Sequence, residues 1–594
     1  MYAFGWPAMN DLTRTLLLLL PLTLAAVSSG PRRARRASGS AAPAAATKAD
    51  LVLLDGDLYT VDRARPQAQA VAVRDGRIVA VGTDSEIRSY IGPKTRVIQL
   101  GGRFAMPGFN DAHTHLAGAG AAKLEVDLRG TRSIGELESR LRSALPRYQA
   151  GEWILGSGWD QTLWPGERYP TRQDLDAVTR SHPIFLMRVD GHGAVANSLA
   201  LKLAGITART PDPVGGHIGK DPKTGPPDGM LEEEATGLVR RHIPAPTPAM
   251  RRRALLLAIA DANSHGVTSV QDSSSWQDFL VLKQLEREGK LTLRVSEWLD
   301  FELPLKQLVA MRNEGGTSDP LLKVGGLGEF LLDGTFGSET GAMVQPYSDK
   351  PGDRGILRMA PEKFTRMAIA RDRAGFQMAV HAIGDRAVHL ALDAYAAAEK
   401  ANGPRDRRQR IEHAQIVLPG DFGRFAELGV VASMQPCHLN DDVRWASQRL
   451  GPERSKDAYA WATMLRDHVH FAIGTDFPVE PIDPMGNLWA CVTRETPQGW
   501  PQGGWEPQEK ISMDDCLRGY TTGSAYVEFD EKIKGQIKPG MLADIVVLSG
   551  DPRKIPPREL WRTRALLTIV GGRIVHDEMS SAPGKREIAR PQTR

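Results

Sequence analysis

Eight short apolar, β-branched runs recur between Asp111 and Pro478, separated by turn signals and by text that reads as helix. They end at Asp111-Ala112-His113, at GVTSVQD (Gly266 to Asp272), at LRVSEWLD (Leu293 to Asp300) and at GEFLLDG (Gly328 to Gly334). The series continues with FQMAVHAIGD (Phe376 to Asp385), QRIEHAQ (Gln409 to Gln415), VVASMQP (Val430 to Pro436) and VHFAIGTDFP (Val469 to Pro478). Strands alternating with helices predict an α/β architecture with a parallel sheet, and eight of them fit a (β/α)8 TIM barrel. The later gaps run near the ~30 residues per unit of such a barrel. The first is far longer, so residues 117 to about 250 are expected to form an insertion above the barrel mouth. Proline-rich text from Pro211 to Pro227 and from Pro244 to Pro248 predicts loops within it.

The two ends of the chain carry a different text. ADLVLLDG, QAVAVRDGRIVAVG with its Asp75-Gly76 turn, and TRVIQLGGRFAMPGF read as strands and a hairpin; GQIKPGMLADIVVLSG and RALLTIVGGRIVHDE repeat the pattern near the C-terminus. Residues 49–106 and 526–580 are therefore expected to meet in one β domain flanking a barrel over 107–525. Before it, Arg14 and the apolar run from Leu16 to Val27 read as an export signal over 1–30, too short to span a bilayer comfortably. An uncleaved anchor flanked by Arg32 to Arg36 is the alternative. Residues 31–48 read as a disordered linker and 581–594 as a disordered tail.

Charge argues against a nucleic-acid partner. The chain has 75 Lys and Arg against 71 Asp and Glu, but six of those cations and only one acid lie in the first 48 residues, which leaves the rest near neutral. The three cysteines, Cys437, Cys491 and Cys516, have no paired spacing that announces a disulfide framework or zinc knuckle. Any metal is expected to be held by histidines and carboxylates.

Ligand-type residues gather at the strand ends. His113 and His115, two apart, project from one side of the first strand. His381 and His413 end the fifth and sixth strands, and Asp476 ends the eighth; strand C-termini form the catalytic face of a barrel. Taken singly, each has a structural reading: loop histidines for the HxH pair, a core histidine for His381, an Asx turn or helix N-cap for Asp476. Taken together, they predict a metal site.

PGFNDAHTHL, VHAIGDRAV, RIEHAQ, GTDFPVEP and KPGMLADIVVL resemble the amidohydrolase superfamily, specifically amidohydrolase family 3, the YtcJ-like group that includes N-substituted formamide deformylase. The similarity runs from about Leu51 to His576, through GSGWDQTLWP and VDGHGAVANSLAL in the insertion. It implies a distorted (β/α)8 barrel with a β-sandwich built from both termini. It also implies His113 and His115 on a more buried metal, His381 and His413 on a more exposed one, and Asp476 as metal ligand and proton acceptor for the attacking water. One or two divalent ions are expected, zinc above iron or manganese. Where relatives typically carry a lysine whose carbamate bridges two metals, this chain has Glu329; it either bridges directly or, with one metal lost, accepts a hydrogen bond behind the ligands. Glu339, where relatives often have arginine, is a second departure, expected to alter substrate charge preference. Trp159, Asp160 and Trp164 resemble a pocket lid, and Asp190 and His192 a loop reaching toward the metals; Trp159, Asp160, Trp164 and His192 are candidate substrate-binding residues. The implied reaction is hydrolysis of a non-peptide carbon–nitrogen bond in a small amide, formamide or cyclic amide, outside the cytoplasm and free of the membrane once the signal is cleaved. Ester, lactone or phosphoester hydrolysis on the same site, and an inactive metal-stabilised binding protein, are the alternatives. Homo-oligomerisation stays open.

Overall fold

The computed structural model describes residues 48–580 except 189–192, 214–215, 222–224 and 338. The expected signal and nearly all of the linker, the C-terminal tail, and Asp190 and His192 lie outside the described residues.

The eight predicted strands form one parallel sheet in sequence order: β1 (Phe109–Thr114), β2 (Val267–Asp272), β3 (Arg294–Leu299), β4 (Leu322–Leu331), β5 (Met378–Ala382), β6 (Arg410–His413), β7 (Val431–Met434) and β8 (His470–Ile473). Most are buried along their whole length, as expected of parallel strands covered by helices outside and by one another inside. A parallel bridge from Thr114 to Phe477 draws the two edge strands together, so the barrel is nearly closed. Gly474 permits that approach: a Cβ there would lie 2.5 Å from the His113 backbone nitrogen. The helices between strands start on legible caps, including a Ser275/Asp278 capping box and Thr247 followed by Pro248.

The insertion is a folded layer that includes loop in its proline-rich text. Six strands from Val126–Asp127 to Pro227–Glu233 make a mixed sheet, and Gly216–Lys220 within the proline-rich text is its edge strand.

The terminal domain holds two sheets over a shared core. One is four-stranded and wholly N-terminal; the other interleaves Phe104–Pro107, Asp57–Tyr59 and Gln67–Ala68 with the C-terminal Ile545–Leu548, Ala565–Val570 and Arg573–Asp577. Leu51, Val71, Ile78, Ile545, Val547 and Ile569 pack together between them. The buried Arg294–Asp544 pair, at 2.7 and 2.9 Å, ties this domain to β3. Cys491 and Cys516 form a disulfide between two helices, a pairing that their spacing in the sequence does not announce.

Candidate metal centre

The backbone around the centre is unusual at two of its side chains. His413 and Asp476 take positive φ angles of 70° and 59°, a region that non-glycine residues adopt at a cost of about 1–3 kcal/mol. Each lies where a barrel strand breaks off, so the turn re-aims a side chain that the strand would otherwise carry past the barrel axis.

All six expected ligands converge on one buried cluster. The Glu329 carboxylate is its centre: Oε1 lies 3.0 Å from His381 Nδ1 and 3.0 Å from His413 Nε2. Oε2 lies 3.4 Å from His113 Nε2 and 3.6 Å from His115 Nε2. One oxygen thus faces each histidine pair. Asp476 Oδ1 closes the His113–His115 side, at 3.0 Å from His115 Nε2 and 3.5 Å from His113 Nε2.

Three of the imidazoles are anchored through the nitrogen that points away from this centre. His113 Nδ1 meets Glu412 Oε2 at 2.8 Å, His115 Nδ1 the Ser273 carbonyl at 3.1 Å, and His381 Nε2 the Gly334 carbonyl at 3.0 Å. Such partners fix tautomer and ring direction, leaving the other nitrogen's lone pair for a cation. Glu412 is itself clasped by Arg410, which also reaches Gln271, the Ala112 carbonyl and Ser433, so His113 rests on a network spanning four strands.

The donor set fits a metal. His113 Nε2 is buried with no hydrogen-bond partner although two carboxylates face it, and imidazole plus carboxylate donors suit a divalent transition ion. Electrostatics points the same way. Burial alone would raise the Glu329 carboxyl, but the His113 charge and the hydrogen bonds from His381 and His413 hold it well below the usual carboxylate range. Burial likewise opposes ionisation of Asp476, yet His113, His115 and His438 drive its pKa down. His113, His115 and His381 are raised despite burial, by these carboxylates, whereas burial and the His381 charge lower His413 to about 4. Carboxylates packed this closely against imidazoles would favour a bound cation.

His438 joins the cluster and was missed in the sequence. It sits two residues beyond Pro436, where the β7 text stops, with Nε2 3.4 Å from Asp476 Oδ2 and Nδ1 3.3 Å from Glu480 Oε1. The signal available was a histidine in the loop leaving a strand on the catalytic face. Cys437 Sγ also lies within ligand distance of His438 and Glu480.

The lid candidates divide. Trp159 is completely buried and Trp164 nearly so, both in the core of the insertion, with indole N–H groups donated to the Leu186 and Thr131 carbonyls. The pair supports the loop between them. Asp160 in that loop caps a short helical turn through Thr162 and lies 3.3 Å from Arg188. Glu339 lies 3.7 Å from Lys350 and 4.0 Å from Arg449, within an ion-pair group of its own.

Comparison with known proteins agrees with this geometry. The amidohydrolase family profile matches residues 96–576. The chain is 36% identical to Protein LONG AFTER FAR-RED 3 of Arabidopsis thaliana, over 90% of this chain and 93% of that one. It is 30% identical to N-substituted formamide deformylase of Arthrobacter pascens, over 90% and 99%. An uncharacterized metal-dependent hydrolase from Pyrococcus furiosus superposes with a TM-score of 0.71 at 31% identity, covering 85% of this chain and all of that one. A barrel with this ligand set, matched over most of its length, makes the chain a member of the amidohydrolase family.

Proposed function

We propose that the protein is a metal-dependent hydrolase of a carbon–nitrogen bond in a small amide, formamide or cyclic amide, working on two divalent ions, zinc in the first instance. The observation that carries this is the split of the Glu329 carboxylate, one oxygen toward His113 and His115 and the other toward His381 and His413. His113, His115 and Asp476 would hold one ion and His381 and His413 the other, with Glu329 between them in place of a carbamylated lysine. Divalent ions bound there would lower the pKa of a water and polarise the scissile carbonyl.

The protein's own groups do the rest. Asp476, kept ionised by the histidines around it, accepts the proton of the attacking water and returns it to the departing amine, a poor leaving group that must leave protonated. Glu412 and Arg410 hold His113 in its tautomer through the cycle. Asp160 is the remaining candidate in the insertion for binding the scissile group, together with His192. The N-terminal apolar run supports export of the mature enzyme.

The test is turnover of an N-substituted formamide, simple amides, cyclic amides, esters, lactones and a phosphotriester by the metal-free and the zinc-reconstituted protein. Amide-type turnover that appears with zinc supports the reading. Ester, lactone or phosphoester turnover alone would reassign the substrate class, and metal binding without any turnover would favour a binding protein.

A further inference from the structure

We propose that His438 is a positioning residue that holds the proton-accepting oxygen of Asp476 and is itself held by Glu480. The proposal rests on Asp476 being the proton acceptor and goes beyond that assignment.

The two oxygens of Asp476 are engaged differently. Oδ1 faces the HxH pair, at 3.0 and 3.5 Å, and is the oxygen placed to meet a cation. Oδ2 faces His438 Nε2 at 3.4 Å and is left for the water proton. Asp476 stands on a left-handed turn, and among the described residues no backbone N–H donates to either oxygen. Its carboxylate could therefore rotate about the Cβ–Cγ bond and offer both oxygens to the cation. A base that does so loses the lone pair that takes the proton. The His438 ring opposes this rotation by attracting Oδ2 away from the HxH pair.

His438 is suited to that task by how it is fixed. Its other nitrogen lies 3.3 Å from Glu480 Oε1, its ring tilts against His413 at a centroid distance of 5.7 Å, and its side chain is only 11% exposed. Each ring nitrogen faces a carboxylate of its own, Nε2 that of Asp476 and Nδ1 that of Glu480. Glu480, His438 and Asp476 thus form a line of carboxylate, imidazole and carboxylate that ends at the cluster.

A positioning role separates from a ligand role. His438 is also within ligand distance of His413 and Asp476, so it could instead bind a cation directly. His438→Ala, His438→Gln and Glu480→Gln are reconstituted with zinc and with cobalt and compared with the wild type in metal content, cobalt visible spectrum, melting temperature, kcat and KM. His438→Ala is expected to keep its metal equivalents and melting temperature, with kcat lower by roughly 10–100-fold and KM little changed. His438→Gln, which returns an N–H near the Nε2 position, is expected to recover part of that loss, and Glu480→Gln to show a smaller fall in kcat. Loss of a metal equivalent or a changed ligand-field spectrum in His438→Ala would make it a ligand and overturn the proposal. Wild-type kcat in the folded His438→Ala and Glu480→Gln enzymes would overturn it equally. If His438→Ala does not fold, His438→Gln and Glu480→Gln decide on the same readouts. A wild type that hydrolyses no amide removes the functional reading beneath it, which is a different failure from an active wild type with indifferent variants.

Discussion

One carboxylate, that of Glu329, faces four imidazoles. If it bridges, full activity requires about two metal equivalents and is indifferent to bicarbonate, since no lysine must first react with carbon dioxide. Glu329→Ala should then fall to about one equivalent, because two neighbouring cations lose the anion that screens their repulsion. Metal analysis under matched saturation checks this, and one equivalent in both proteins would show that Glu329 does not bridge. Asp476→Asn should keep the fold and part of the metal while kcat falls by about 10²–10⁴-fold, as loss of a proton acceptor does. The raised His113, His115 and His381 give a third expectation. Their protons occupy ligand atoms and must leave for metal to enter, so affinity should climb with rising pH and metal should be shed on acidification. His413, near 4, is already neutral at pH 7 and adds nothing to that dependence. Chelator competition across pH measures it; an affinity unchanged by pH would contradict the assignment.

At the scale of elements, the barrel was legible because each strand carries its own β-branched text and its own punctuation. The six candidate ligands were legible for a related reason: metal chemistry favours their residue types, and they fall at strand ends. His438 was not, because it stands in a loop, where no periodicity marks it. For Trp159 and Trp164 the sequence alone does not separate core from pocket, because buried aromatics and pocket aromatics share one composition. The insertion's sheet was hidden by its mixed parallel and antiparallel ladders, whose pairings no local pattern encodes. The Cys491–Cys516 bond depends likewise on how two helices pack. The joint between barrel and terminal domain offers a stability test. Arg294→Ala would strand Asp544 in a buried site with only the Gly571 N–H to satisfy it, at an expected cost of about 3–5 kcal/mol in denaturant unfolding. A change below about 1 kcal/mol would mean that solvent reaches the pair after all.

At the scale of the whole molecule, the first and last described segments meet in one β domain, with the barrel and its insertion between them in the sequence. The N-terminal apolar run predicts that the chain is exported and trimmed between Ser28 and Lys48. Mass spectrometry of the mature N-terminus reads this directly, and an intact Met1 or Met9 on cytoplasmic protein would refute it. The central claim is that the buried cluster hydrolyses amide-type bonds with bound metal and Asp476 as base. Its most direct test is the rate of amine release from an N-substituted formamide by metal-free wild type, zinc-reconstituted wild type and zinc-reconstituted Asp476→Asn. The account predicts release only by the zinc-loaded wild type, with the variant slower by orders of magnitude at comparable metal content. Equal rates with and without metal, or a zinc-loaded Asp476→Asn as fast as the wild type, would contradict it.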